Sequence, residues 1–210
     1  MRRAAIALGT LCVWSLLGTR AAGEPMPASL QSLSFSSEKV AEEADAGRTA
    51  DVTRHLGEVK KSLEGLRGQF APERLAPIGD EVKRIERSLA AASLYDAAVR
   101  ADAMSNAISA LTEPYIGEFH AGVLRLGVFL RSASRETKRK SAATALQSLT
   151  GADGVWVTMQ KLATDRQPKD AETMTKQLAS ARKHLSEGSL LSARRALHDA
   201  AEVLARLSSL

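Results

Sequence analysis

The sequence predicts an all-α protein, an antiparallel up-down helical bundle made of two tandem four-helix units. Three observations predict it. Apolar residues recur every three to four positions along most of the 210 residues, the spacing that lines one face of a helix. Good helix formers (Ala, Leu, Arg, Lys, Glu) dominate, aromatic residues are only 4% of the chain, and no stretch alternates with period two. The last hairpin also repeats the pattern of an earlier one at a fixed distance.

The N-terminal stretch stands apart. Arg2 and Arg3 precede an apolar run from Ala4 to Leu17, and the small residues Ala21, Ala22 and Gly23 follow. This is the layout of a secretory signal peptide. The run is shorter than the ~20 residues a spanning helix needs. We therefore expect residues 1–23 to be removed, with export to the periplasm or the medium and no stable membrane insertion. Cys12 is the only cysteine and would leave with the leader. The mature chain would then have no disulfide, thiolate metal site or cysteine nucleophile.

The helices follow in order. In the first unit, 24–112, helices are expected near 29–46, 49–67, 73–91 and 94–112. Val52, Leu56, Val59, Leu63 and Leu66 stripe the second, Leu75, Ile78, Val82, Ile85 and Leu89 the third, and Ala97, Ala101, Met104, Ile108 and Leu111 the fourth. In the second unit, 113–210, helices are expected near 115–140, 142–165, 169–187 and 189–208. Pro114 marks the start of that unit, and Gly151 and Gly154 mark a break inside it. Ser93 and Ser189 stand where a hydroxyl can cap the following helix. Short connections make neighbours antiparallel.

An internal duplication explains the hairpin pattern. Pro168 lies 96 residues after Pro72, Ser189 after Ser93, and the stripe from Ala171 to Leu207 after that from Leu75 to Leu111. At the same offset Val59, Leu63 and Leu66 fall on Val155, Met159 and Leu162, while the first helix of each unit barely matches.

Charge excludes little and motifs exclude more. The formal net charge is +5; without Arg2, Arg3 and Arg20 it falls by three to +2, too near neutral to point to nucleic acid. The run "RSASRETKRK", Arg131 to Lys140, reads as a solvated helix face or as a docking point for an anionic partner. There is no phosphate loop, nucleophile elbow or His-Glu-x-x-His pair, so we expect no enzyme and no cofactor. Two carboxylate–imidazole pairs at one-turn spacing, Asp51 with His55 and His198 with Glu202, could each touch a metal ion. Met174 could approach His198 but fits the core stripe. Tyr115, Phe119 and Trp156 are the positions where a homodimer interface is expected to show.

The stretch "VAEEADAGRTADVTRHLGEVKKSL", Val40 to Leu63, resembles the small metal-binding protein family of exported bacterial four-helix bundles. An alanine-rich helix, Gly47, and a helix bearing His55 two turns in carry the resemblance, together with Leu63. It implies a periplasmic bundle that binds copper- or nickel-like ions through histidines. The family is rich in histidine, whereas this chain has four and carries Arg48 and Ser62 where further histidines would stand. Only His55 transfers as a ligand. The expected function is therefore an exported binding or scaffolding module with an unknown protein partner, and the alternative is a divalent metal-binding protein.

Overall fold

The structure, a computed structural model, describes residues 25–208. The expected leader lies outside the described residues. Seven helices account for nearly all of them, with no strand: α1 (Ala28–Asp45), α2 (Thr49–Leu66), α3 (Pro72–Ala90), α4 (Leu94–Lys138), α5 (Ala142–Arg166), α6 (Pro168–Ser186) and α7 (Leu190–Ser208). The apolar stripes read from the sequence are the buried faces. Leu33, Val40, Val52, Val59, Ile78, Ile85, Ala101 and Met104 are fully covered, as are Leu126, Leu149, Met174, Ala181, Ala200 and Leu207. Ala97, Ala101, Ala181, Ala193 and Ala200 are all at zero exposure, so the small seams do bring helices close.

α4 is one helix in name only. Its Gly117 has φ 77° and ψ 166°, a region essentially reserved for glycine. The chain doubles back there. Arg131 Nη2 lies 3.3 Å from Asp102 Oδ1 and Arg125 Nη2 lies 3.2 Å from Glu113 Oε2. In a straight helix residues 102 and 131 would be about 43 Å apart at ~1.5 Å per residue. The two arms, 94–116 and 118–138, therefore run antiparallel. The break expected at 113–115 comes three residues later, because Pro114 is absorbed into the first arm and only the glycine can take the reversing conformation.

Two hydrophobic cores result. One gathers α1, α2, α3 and the first arm of α4, from Leu30 to Leu111; the other gathers the second arm, α5, α6 and α7, from Phe119 to Leu207. Contacts within the first half link α1 to α2, α2 to α3, α3 to α4 and α4 to α1; those within the second link α4 to α5, α5 to α6, α6 to α7 and α7 to α4.

Several turns share one hydrogen-bonding scheme. The chain turns through a left-handed residue at Gly47 (φ 78°), Ala92 (φ 54°), Lys140 (φ 61°) and Gly188 (φ 73°). Just after each, a backbone N–H reaches five residues back: Arg48 to Glu43 (2.9 Å), Ser93 to Ser88 (2.9 Å), Ser141 to Glu136 (2.9 Å) and Ser189 to His184 (2.8 Å). These bonds close off carbonyls that the helix end leaves open. Ser93 caps α4 as its position predicts, accepting the Asp96 N–H at 3.3 Å.

Three expectations fail. α5 runs unbroken through Gly151 and Gly154. Gly151 is there for space: a Cβ at that position would stand 2.3 Å from the Phe129 ring. Phe119 and Trp156 are not exposed. Phe119 sits in the second core under the Arg166 guanidinium at 4.6 Å, and Trp156 is buried with its Nε1 donating to Thr175 Oγ1 at 3.0 Å. Tyr115 is half-buried against the first core. An apolar trough between α1 and the second arm of α4 does reach the surface, where Met26, Phe35, Leu124 and Ser208 line it.

Candidate functional site

The polar residues with the most organised surroundings lie where the two halves meet. Along the first arm of α4, Ala98, Asp102, Ser105, Ser109 and Thr112 flank the core stripe. A flank of small and hydroxyl side chains lets another helix approach closely. That helix is the second arm of α4. Its Ala121, Val128 and Arg135 are buried yet belong to neither core. α1 completes the seam with Asp45, bonded to Arg135, and with Glu38, which feels the charge of Arg131.

Arg135 is the centre of the seam, at 5% side-chain exposure. Its Nε and Nη2 donate to both oxygens of Asp45 at 2.6 and 3.0 Å, and Nη2 also donates to Asp102 Oδ2 at 2.9 Å. A guanidinium fork suits this two-oxygen grip. Arg131 approaches the other oxygen of Asp102 at 3.3 Å. Burial pushes the Asp102 carboxyl above its ordinary value, against the pull of Arg131 and Arg135. Burial raises Glu38 in the same way, opposed by Arg131. Burial alone would lower Arg135, but hydrogen bonds to Asp45 and the charge of Asp102 outweigh it and hold the cation. One turn further on, Tyr95 donates to Glu136 Oε1 at 2.8 Å, and Arg139 lies 3.8 Å over the Tyr95 ring.

The basic run Arg131 to Lys140 is thus neither wholly solvated nor wholly a docking point. Arg131 and Arg135 turn inward and Arg139 stacks on Tyr95. Lys138 faces outward, lining an open cleft with Ser134, Arg194, Arg195 and His198. Among the described residues, Lys138, Arg194 and Arg195 make no ion pair; Asp199 also lines this cleft.

The histidine candidates divide. Asp51 and His55 share a face of α2 but do not pair. Asp51 Oδ1 accepts from Arg54 Nη2 at 3.0 Å. His55 is buried, with Nδ1 2.9 Å from Glu58 Oε2 and Nε2 3.1 Å from Arg54 Nη2. Because the guanidinium only donates, Nε2 accepts and Nδ1 carries the proton toward Glu58. The bond from His55 is the chief reason the Glu58 carboxyl is lowered. A metal ion at His55 would have to displace one of these partners. His198 Nε2 and Glu202 Oε1 do approach, at 3.4 Å, on the exposed face of α7. Among the described residues, no group of three or more His, Cys, Asp or Glu side chains is arranged to hold a metal ion. Met174 is wholly inside the second core. No helix among the described residues is long and apolar enough to cross a membrane.

No protein-family model matches the chain, and no curated protein or solved structure matches it either.

The seam went unread in the sequence because its pairs are long-range: 90 residues separate Arg135 from Asp45. The one available signal was an ionisable residue, Asp102, inside an otherwise small-residue flank of a strongly periodic helix.

Proposed function

We propose that the chain is an exported, non-enzymatic helical-bundle protein that acts as a binding or scaffolding module, built from two tandem four-helix units. The matching order of helix contacts in the two halves supports the bundle. The turns support the duplication, in two registers. The turn at Gly47 to Arg48 recurs 93 residues later at Lys140 to Ser141, and that at Ala92 to Ser93 recurs 96 residues later at Gly188 to Ser189. In the 93-residue register Val52, Leu56, Val59, Leu63 and Leu66 fall on Ala145, Leu149, Ala152, Trp156 and Met159, all of them buried. This register replaces the match to Val155 and Leu162 expected from one uniform offset.

The observation that carries the binding role is an asymmetry between these halves. In the 96-residue register Ala98, Asp102, Ser105, Ser109 and Thr112 correspond to Arg194, His198, Ala201, Ala205 and Ser208. The first five are buried, with Asp102 held by Arg131 and Arg135 of the second arm of α4; the second five are exposed. The same helix flank is closed in one unit and open in the other. The test is photo-crosslinking in the producing cell with a reactive residue at Ala205 and a control at the exposed Thr164 of α5. A discrete adduct from position 205 alone is expected. Equal labelling at both positions, or none, refutes a dedicated binding face. Export is tested by N-terminal sequencing of the secreted protein, which should begin near Glu24.

The metal-binding alternative keeps one feature, the open His198–Glu202 pair. Copper or nickel titration of the mature chain should then show a stoichiometric site that disappears in His198→Ala. Uptake that persists in that variant removes the pair from consideration.

A further inference from the structure

We propose that the open flank of the second unit binds an acidic helix of another protein, in the way the first unit binds the second arm of α4. The inference rests on the two-unit binding reading above and adds the chemistry of the partner.

The first unit supplies the precedent. Its flank presents Glu38 and Asp45 from α1 and Asp102 from α4, and it is closed by a helix whose Arg131 and Arg135 are one turn apart. The corresponding positions of the second unit follow from the two registers. Glu38 corresponds to Arg131 and Asp45 to Lys138, 93 residues on; Asp102 corresponds to His198, 96 residues on. Each acid has become a basic residue type, and Arg194 stands where Ala98 stood. Arg131 is already engaged by Asp102, whereas Lys138 and Arg194 make no ion pair among the described residues and line one cleft with His198. Below them Ala201 and Ala205, exposed on the same flank, replace Ser105 and Ser109. Two alanines one turn apart let a helix backbone settle close. Three acidic positions of the first unit thus carry basic residue types in the second, in a cleft that Asp199 also lines.

The occupant therefore carries carboxylates where the arm carries guanidinium groups, at positions i and i+4, above a stripe of small residues. Oppositely charged patches steer such an encounter and fix its register.

The test uses the full chain and a fluorescent alanine-based helical peptide with Glu at every fourth position, with a Lys-for-Glu peptide as control. Fluorescence anisotropy should show saturable binding of the acidic peptide only. Reversing Lys138→Glu and Arg194→Glu together should weaken it by roughly tenfold or more, and Ala205→Arg should abolish it by blocking the approach. Binding that is equal for both peptides, or unchanged in the reversed variant, overturns the proposal. So does a concentration-dependent dimer in ultracentrifugation that Ala205→Arg dissolves, because the occupant would then be a second copy. If position 205 still crosslinks a partner while charge reversal changes nothing, the binding reading stands and the acidic-helix assignment falls.

Discussion

Replacing Arg135 with methionine should cost the protein about 3 kcal/mol at pH 7, and the cost should shrink in acid. The side chain is 5% exposed and donates to both Asp45 and Asp102. Its loss leaves Asp102, itself 6% exposed, with only the longer contact to Arg131 at 3.3 Å. Breaking a buried pair from one side typically costs about 3–5 kcal/mol. The lower end applies because Asp45 keeps 21% side-chain exposure and Arg131 stays in place. For a chain of this size that is a loss of about 6–12 °C in Tm. The pH dependence follows from Asp102. Burial already raises its carboxyl above 3.8 in the folded protein, and removing Arg135 raises it further. A carboxyl whose folded value lies above its unfolded value contributes stability below the unfolded value and loses it as pH rises through the folded one. The gap between variant and wild type should therefore narrow from pH 7 toward pH ~4, near the ordinary aspartate value. Urea unfolding followed by far-ultraviolet circular dichroism at several pH values measures it. A gap below about 1 kcal/mol at pH 7, or one independent of pH, would refute the assignment of Arg135 as the centre of the seam.

Four glycine-related substitutions give further predictions from thermal unfolding. Gly151→Ala should destabilise by about 1–3 kcal/mol because its Cβ meets the Phe129 ring, while Gly154→Ala, with open space around it, should stabilise by about 0.5–1 kcal/mol; equal effects would remove the packing explanation. Gly117→Ala should cost about 1–3 kcal/mol, since φ 77° and ψ 166° suit no other residue, and a neutral result would mean the reversal is made elsewhere. Ala92→Gly should gain about 0.5–1 kcal/mol by relieving the left-handed φ of 54°, as glycine already does at the matching position 188.

The helices were legible because each buries one continuous stripe, and that signal is local. Gly47 and Gly188 were legible as turns for the same reason, since a glycine between two stripes breaks the period. Gly151 looks identical in sequence, yet it serves close packing against Phe129, a contact with another helix that periodicity does not encode. Pro114 misled in the opposite direction, as a breaker that the first arm of α4 tolerates. The proposed duplication was visible only in its second hairpin because it runs in two registers. A single offset of 96 shifts α2 against α5 by three residues, which places Val59 over the half-buried Val155 instead of the buried Ala152. The seam was the least legible part. Arg131, Arg135, Lys138 and Arg139 read as one basic run, and only the fold sends two to Asp102, one to a tyrosine ring and one to open water.

The reversal at Gly117 has a practical consequence for the backbone's ends. Met26 and Ser208 border the same trough, so the first and last turns of the described chain are spatial neighbours. A short Gly/Ser bridge between them, with new termini cut at residue 117, would make a circular permutant in which the two units trade sequence order but keep every packed contact. How readily that permutant folds would reveal whether the tight bend is needed to assemble the halves or merely joins them.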